Sequence, residues 1–209
     1  MTASFEILTV CTGNICRSPL AEQLLRAGLS DIAPISVASA GTYAMVGSGM
    51  TPEAAALSAE FGGLGAESHR ARDLTPALVD AAGLIFAMSR EHRRAIVELR
   101  PRAARTTFTL REFARLADGI TDDELEYLAA LPLSSVTERL AELVLAVAAR
   151  RGLVERPEDP AADDIVDPYR RGDAVYRESA DQLVPAAEIT VRTIRHAVRI
   201  TSPSTPGAP

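Results

Sequence analysis

Cys11 and Arg17 enclose the loop of Val10-Cys11-Thr12-Gly13-Asn14-Ile15-Cys16-Arg17-Ser18-Pro19, a Cys-x5-Arg spacing with a nucleophile at one end and a cation at the other. If the amides of Thr12 through Ser18 turn inward, they form a nest for a tetrahedral oxyanion without help from a metal. Arg17 then offers a planar, bidentate fork to two phosphoryl oxygens, a geometry that lysine does not reproduce. Cys11, at the base of this electropositive bowl, is expected as the thiolate nucleophile. Gly13 is expected to let the backbone turn closely around the ligand. Thr12, Gly13, Asn14, Ile15, Cys16 and Ser18 are therefore the phosphate-binding candidates.

Such a loop needs a strand before it and a helix after it. Phe5 to Val10 is β-rich, and Pro19 to Arg26 has helical spacing, with Pro19 expected at the first helical position. Further strands are predicted over Ile35–Ala38, Gly83–Met88 and Thr106–Thr109, with helices over Pro52–Phe61, Arg90–Leu99 and Arg111–Leu116. This alternation predicts an α/β fold, a four-stranded parallel sheet flanked by helices on both faces, with ligands at the carboxyl ends of its strands. Residues 117–160 break the rhythm with two helical patterns, Asp122–Leu131 and Leu133–Arg151, the first capped by Thr121 or Asp122. They read as a helical insertion, expected to fold as a cap near the cleft or as a docking surface. An acidic loop follows over Arg156–Asp164, then a helix from Asp173 to Ile200 that Pro185 is expected to interrupt. The expectation is one domain over residues 1–200 and a disordered tail over 201–209.

Composition narrows the partners. The chain has 209 residues, 47% of them hydrophobic, enough for one well-packed domain, and its net charge of −6 argues against a nucleic-acid partner. All 22 basic residues are arginine, so single surface arginines carry little functional weight. The only cysteines are Cys11 and Cys16, which suits a reducing compartment and suggests that oxidant drives a reversible Cys11–Cys16 disulfide. The longest apolar run, Leu143–Ala149, is too short to span a bilayer. A soluble, cytoplasmic protein is expected.

With the loop and the alternation in view, the sequence resembles the low-molecular-weight protein tyrosine phosphatases, which open with this loop and close with an Asp-Pro-Tyr motif, here Asp167-Pro168-Tyr169. The resemblance covers about Phe5–Leu116 and Asp164–Val198. It implies a cofactor-free and metal-free two-step hydrolysis of a phosphomonoester carried by a protein or peptide. Cys11 resembles the nucleophile that forms a phosphocysteine, Arg17 the phosphate clamp, and Asp167 the acid that protonates the leaving group and then activates water. Asn14, Ser18, Ser39 and His69 match positions that hold the loop and steady the thiolate. Tyr169 resembles an aromatic wall of the cleft, with Tyr43 and Met45 in the facing loop. The chain departs from the pattern in three places: it has no Trp in that loop, Arg170 and Arg171 follow the Asp-Pro-Tyr motif, and Ser89 stands where an Asp is usual.

Other chemistries share this pattern. Thioredoxin-coupled arsenate reductases resemble it but relay a disulfide through downstream cysteines, and none follows Cys16. Protein arginine phosphatases carry Thr where this loop has Ile15; an apolar residue there favours an aryl leaving group. A phosphate-binding regulatory module would lack the nucleophile, the clamp or the acid, and all three residue types are present. The insertion offers a surface for a homo-oligomer or a docking partner.

Overall fold

A computed structural model of the chain describes residues 4–201, so most of the expected tail lies outside the described residues. Its centre is a parallel sheet in the order β2-β1-β3-β4, with β1 over Phe5–Cys11, β2 over Ile35–Gly41, β3 over Ala82–Ala87 and β4 over Thr107–Thr109. The register pairs Cys11 with Gly41 and Val10 with Ala87, so three strands end together beside the loop. β2 runs three residues beyond its expected end. Ser39, Ala40 and Gly41 have little intrinsic strand preference, and pairing with β1 holds them extended.

Helices cover both faces. On one side lie α1 (Arg17–Gly28), α2 (Pro52–Glu60), α5 (Leu110–Ala117) and α8 (Asp173–Arg199), over a core that includes Ile7, Phe86, Phe108 and Phe113. On the other, α3 (Pro76–Ala81) and α4 (Arg90–Leu99) cover Leu8, Val10, Ile85 and Ile96. Local signals set the starts: Thr51, Thr75 and Ser89 accept from backbone amides in the first turns of α2, α3 and α4, and Thr109 and Glu112 form a reciprocal capping box on α5.

Several boundaries differ from expectation. Pro19 is the third residue of α1, which starts at Arg17; proline is tolerated there because first-turn amides have no intrahelical acceptor. α8 passes through Pro185 unbroken, and buried Leu183, Ala186 and Ala187 offset the backbone bond lost there. In the insertion, the first expected helix shrinks to a 3-10 turn over Asp123–Leu125 and a single turn, α6 (Glu126–Ala129), closed off ahead of Pro132. The second, α7, spans Val136–Ala149. Thr121 accepts from the Glu124 amide while Glu124 returns a bond to Thr121, so Thr121 is the cap there. The acidic loop contains a 3-10 turn over Pro160–Asp163, capped by Asp159.

The insertion packs beneath α5 and α8, adding Leu125, Leu128, Leu140, Leu143, Val144 and Val147 to the larger core. Its residues are not among those that line the bowl described below. Buried Arg139 ties it to the end of α8 by donating to the carbonyls of Ala197 and Ile200, at 3.1 and 2.9 Å. Among the described residues, no helix is long and apolar enough to cross a membrane.

Candidate active site

The loop after β1 is held from outside by its carbonyl groups. Cys11 O accepts from the Thr42 amide, Thr12 O from Tyr43, Gly13 O from Met45, Ile15 O from Thr51 and Cys16 O from Leu20, all within 3.2 Å. The Asn14 carbonyl faces His69 Nε2 at 2.7 Å, and since a carbonyl only accepts, that nitrogen carries the proton. In a trans peptide the next residue's N–H points opposite to the carbonyl. Six outward carbonyls therefore turn the amides from Thr12 to Arg17 inward, and one of them, Asn14 N–H, lies 3.3 Å from Cys11 Sγ.

Asn14 makes this turn possible. Its φ of +54° places it in the left-handed region, which asparagine tolerates better than most residues. The close turn expected at Gly13 thus falls one residue later; a Cβ on Gly13 would meet Ile15 at an ordinary 3.4 Å. The glycine that close approach demands is Gly41, where a Cβ would sit 2.3 Å from Thr12 O. Asn14 is fully buried, and its amide donates to Ser18 Oγ and Ser39 Oγ at 2.9 and 2.8 Å and accepts from the Arg72 amide at 3.0 Å. Ser18 Oγ in turn lies 3.0 Å from Cys11 Sγ. Behind them, Ser39 donates to buried Glu22, which also meets Arg26 and stands 3.9 Å from His69. Asn14, Ser18, Ser39 and His69 therefore share one network under the sulfur, and Glu22, Arg72 and Gly41 are members that sequence reasoning missed.

The bowl is small, about 140 Å³. Cys11, Thr12, Gly13, Ile15, Cys16 and Arg17 form its floor, and Tyr43, Met45, Asp167 and Tyr169 its rim. Arg17 is 5% exposed; it donates to Ile165 O at 3.1 Å and meets Asp167 at 2.6 Å, and its Nε is buried without a partner. A buried donor left free beside inward amides suits the binding of an oxyanion. Asp167 sits on a strap fastened at each step: Asp164 to Arg90 and Arg111, the Ile165 amide to Met88 O, and the Val166 amide to Gln182. Asp167 itself also accepts from the Tyr169 amide at 3.2 Å.

The rim is apolar and open. Tyr43 is 82% exposed, and the Arg170 guanidinium lies over the Tyr169 ring at 5.2 Å. Cys16 is a free, buried thiol 3.6 Å from both Thr51 Oγ1 and Tyr176 Oη, and burial pushes it up from its ordinary value.

His92 escaped the sequence reading. Its Nε2 meets Thr12 Oγ1 and its Nδ1 meets Ser89 Oγ, both at 2.8 Å, which bolts the loop to the start of α4. Burial, aided by the Arg17 charge, holds it down to about 4, so it stays neutral in neutral solution. Its signal was its place just past the end of β3, at the same sheet edge as the loop.

Residues 6–126 match the model of the family described as low molecular weight phosphotyrosine protein phosphatase, more than half of the chain. The chain belongs to this family. As a member it is a phosphatase, and its relatives extend the match. It is 42% identical over 106 residues to the probable low molecular weight protein-tyrosine-phosphatase EpsP of Ralstonia solanacearum, covering 51% of this chain and 70% of that one. It is 37% identical over 144 residues to the protein-arginine-phosphatase of Geobacillus stearothermophilus, covering 66% of this chain and 95% of that one. Among solved structures, the YwlE arginine phosphatase from Geobacillus stearothermophilus superimposes with a TM-score of 0.63 at 28% identity, covering 91% of this phosphatase and 93% of its own chain. The Erwinia amylovora tyrosine phosphatase AmsI shares the fold, with a TM-score of 0.62 at 24% identity over 90% and 92% of the two chains.

Proposed function

We propose that this phosphatase hydrolyses phosphotyrosine in proteins through a phosphocysteine on Cys11. The reading is carried by one convergence: the Cys11 sulfur on the floor of the amide nest, the Arg17 guanidinium lining the same bowl, and Asp167 paired with that guanidinium. Substrate phosphate displaces Asp167 from Arg17, and the guanidinium and loop amides take the non-bridging oxygens. The thiolate attacks phosphorus, the P–O bond to the leaving group breaks, and Asp167, which takes up a proton from solvent on leaving Arg17, gives that proton to the leaving oxygen. Water then attacks the phosphocysteine and loses a proton to Asp167, releasing phosphate and the thiolate. The hydrogen bond from Ser18 Oγ and that from the Asn14 amide steady the sulfur's negative charge in both steps.

Tyrosine is the preferred leaving group because Ile15, Met45, Tyr43 and Tyr169 line the bowl with apolar and aromatic surface suited to an aryl ring. Phosphoarginine is the second reading, favoured by the arginine-phosphatase relative matched over nearly its whole length. Hydrolysis of phosphotyrosine, phosphoserine and phosphoarginine peptides, with Cys11→Ser and Asp167→Asn as controls, tests both. Phosphotyrosine is expected to lead; no hydrolysis of any, or full activity in Cys11→Ser, refutes the reading.

The same proposal treats residues 1–200 as one cytoplasmic phosphatase domain whose insertion serves as a docking or self-association surface. Tyr127, Leu133, Leu145 and Leu153 are exposed apolar residues on it. Unchanged oligomeric state and unchanged protein-substrate turnover on replacing them with serine would remove that role.

A further inference from the structure

Away from the bowl, five arginines line a cavity of about 360 Å³ beside the edge strand β4. Arg90 and Arg93 reach it from α4, Arg115 from α5, and Arg151 and Arg156 from the insertion. Arg90 is paired with Asp164 and Arg115 with Asp163, while Glu112 is shared by Arg93 and Arg151. Five guanidinium groups thus meet three paired carboxylates, which leaves two positive charges without a paired carboxylate, and the Arg156 loop also carries Glu158 and Asp159. Arg156 is exposed at the mouth and has no ion pair.

Two of these arginines are already oriented by the frame. Arg151 lies over Phe108 at 4.1 Å and donates to the Thr107 carbonyl at 2.8 Å, and Arg93 donates to the same carbonyl at 3.0 Å. Burial and the Arg151 charge both push Arg93 below the ordinary arginine range. Arg151 and Arg115 also donate to the Ala104 and Glu155 carbonyls, at 3.3 and 3.1 Å, so the donors left for a compact dianion are chiefly those of Arg156 and the Nη1 groups of Arg90 and Arg93.

We propose that this cavity is a second oxyanion site, separate from the catalytic bowl, that binds a phosphoryl dianion. The insertion builds it, since Arg151 and Arg156 both come from residues 117–160. Asp163 and Asp164, which compete with the anion for Arg115 and Arg90, directly precede the strap that carries Asp167. Two sources share this chemistry: free inorganic phosphate, which is the reaction's product, and a phosphorylated residue on a protein.

The test follows the arginine Nε–H signals of the full-length protein by NMR as inorganic phosphate is added. Two saturating responses are expected, one on Arg17 and one on Arg93, Arg115 and Arg151. Arg156→Glu, on an exposed side chain, should weaken the second about tenfold while leaving the first unchanged, and added salt should weaken it further. A phosphoserine peptide is titrated in parallel. Tighter binding than phosphate at the second group assigns a protein-borne phosphate, and weaker binding assigns the free anion. If neither probe moves Arg93, Arg115 and Arg151, or if Arg156→Glu leaves their response unaltered, the site does not exist.

Discussion

Two arginines are buried among the described residues, and they are bonded in opposite ways. Arg139 in the insertion is 1% exposed and spends its guanidinium on four carbonyls, those of Leu131, Pro132, Ala197 and Ile200. It joins two chain ends that would otherwise leave carbonyls unpaired, one of them the C-terminus of α8, where a cation also meets the helix dipole. Arg17 is almost as buried, yet its Nε has no partner and its carboxylate partner, Asp167, is half exposed. A buried cation that is fully satisfied from inside the fold is structural. One left short of acceptors, facing a bowl of amides, is kept for something that arrives from solution.

Exchanging the two arginines for residues that keep size but change bonding separates these roles. Arg17→Lys keeps a charge but loses the planar fork; kcat on an aryl phosphate is expected to fall about a thousandfold, with little change in Tm. A matching loss of Tm would mean that Arg17 too is structural. Arg139→Leu is expected to do the reverse, lowering unfolding free energy by about 3 kcal/mol as buried carbonyls lose their donors, with kcat nearly unchanged in the folded protein. Urea denaturation and steady-state kinetics on the same samples read both arms.

The same contrast explains what was legible in the chain. The bowl's chemistry is written within a few consecutive residues, because Cys11, Arg17 and the loop between them lie on one strand-turn-helix unit, and Asp167 is marked by its Pro-Tyr neighbours. The parallel sheet followed from hydrophobic runs alternating with capped helices. What could not be read was contact across long separations. Nothing beside Gly41 announces that Thr12 O presses against it, and nothing beside Arg72 announces that its amide holds Asn14. α3 was missed because six residues give too little period to recognise, and the insertion's first helix was overdrawn because so short a segment is only marginally helical and its start settles into a 3-10 turn. The arginine cavity was invisible for the same reason as Arg139: in a lysine-free chain each arginine looks alike until its neighbours are known.

His92 tests whether the loop's outer supports matter for stability as its inner face does for catalysis. Its folded value, about 4, lies below the ordinary 6.5, so between these limits the unfolded chain binds the proton more readily. Stability is therefore expected to fall as pH drops from about 6.5 to about 4, by up to about 3 kcal/mol from this residue alone, and to level off below. His92→Gln, which keeps a hydrogen-bonding side chain toward Thr12 but does not titrate, should flatten that part of the curve. An identical curve for the variant would place the titration elsewhere.

The smallest expected effect bears on which substrate the bowl selects. Ile15 is 5% exposed and contributes an apolar surface to the floor, within 3.4 Å of where a Cβ on Gly13 would stand. Ile15→Thr swaps that surface for a smaller side chain bearing a hydroxyl, removing a favourable contact for an aryl ring and adding a hydrogen-bonding group for a guanidinium-linked phosphate. A change of this size shifts relative kcat/KM by about tenfold, so phosphoarginine should gain on phosphotyrosine by that factor, while the nucleophile and clamp keep the chemical step intact. Competition between the two peptides in one reaction measures the ratio directly. A ratio that does not move would assign leaving-group choice to the rim, where Tyr43, Met45 and the Arg170-covered Tyr169 are the remaining contacts.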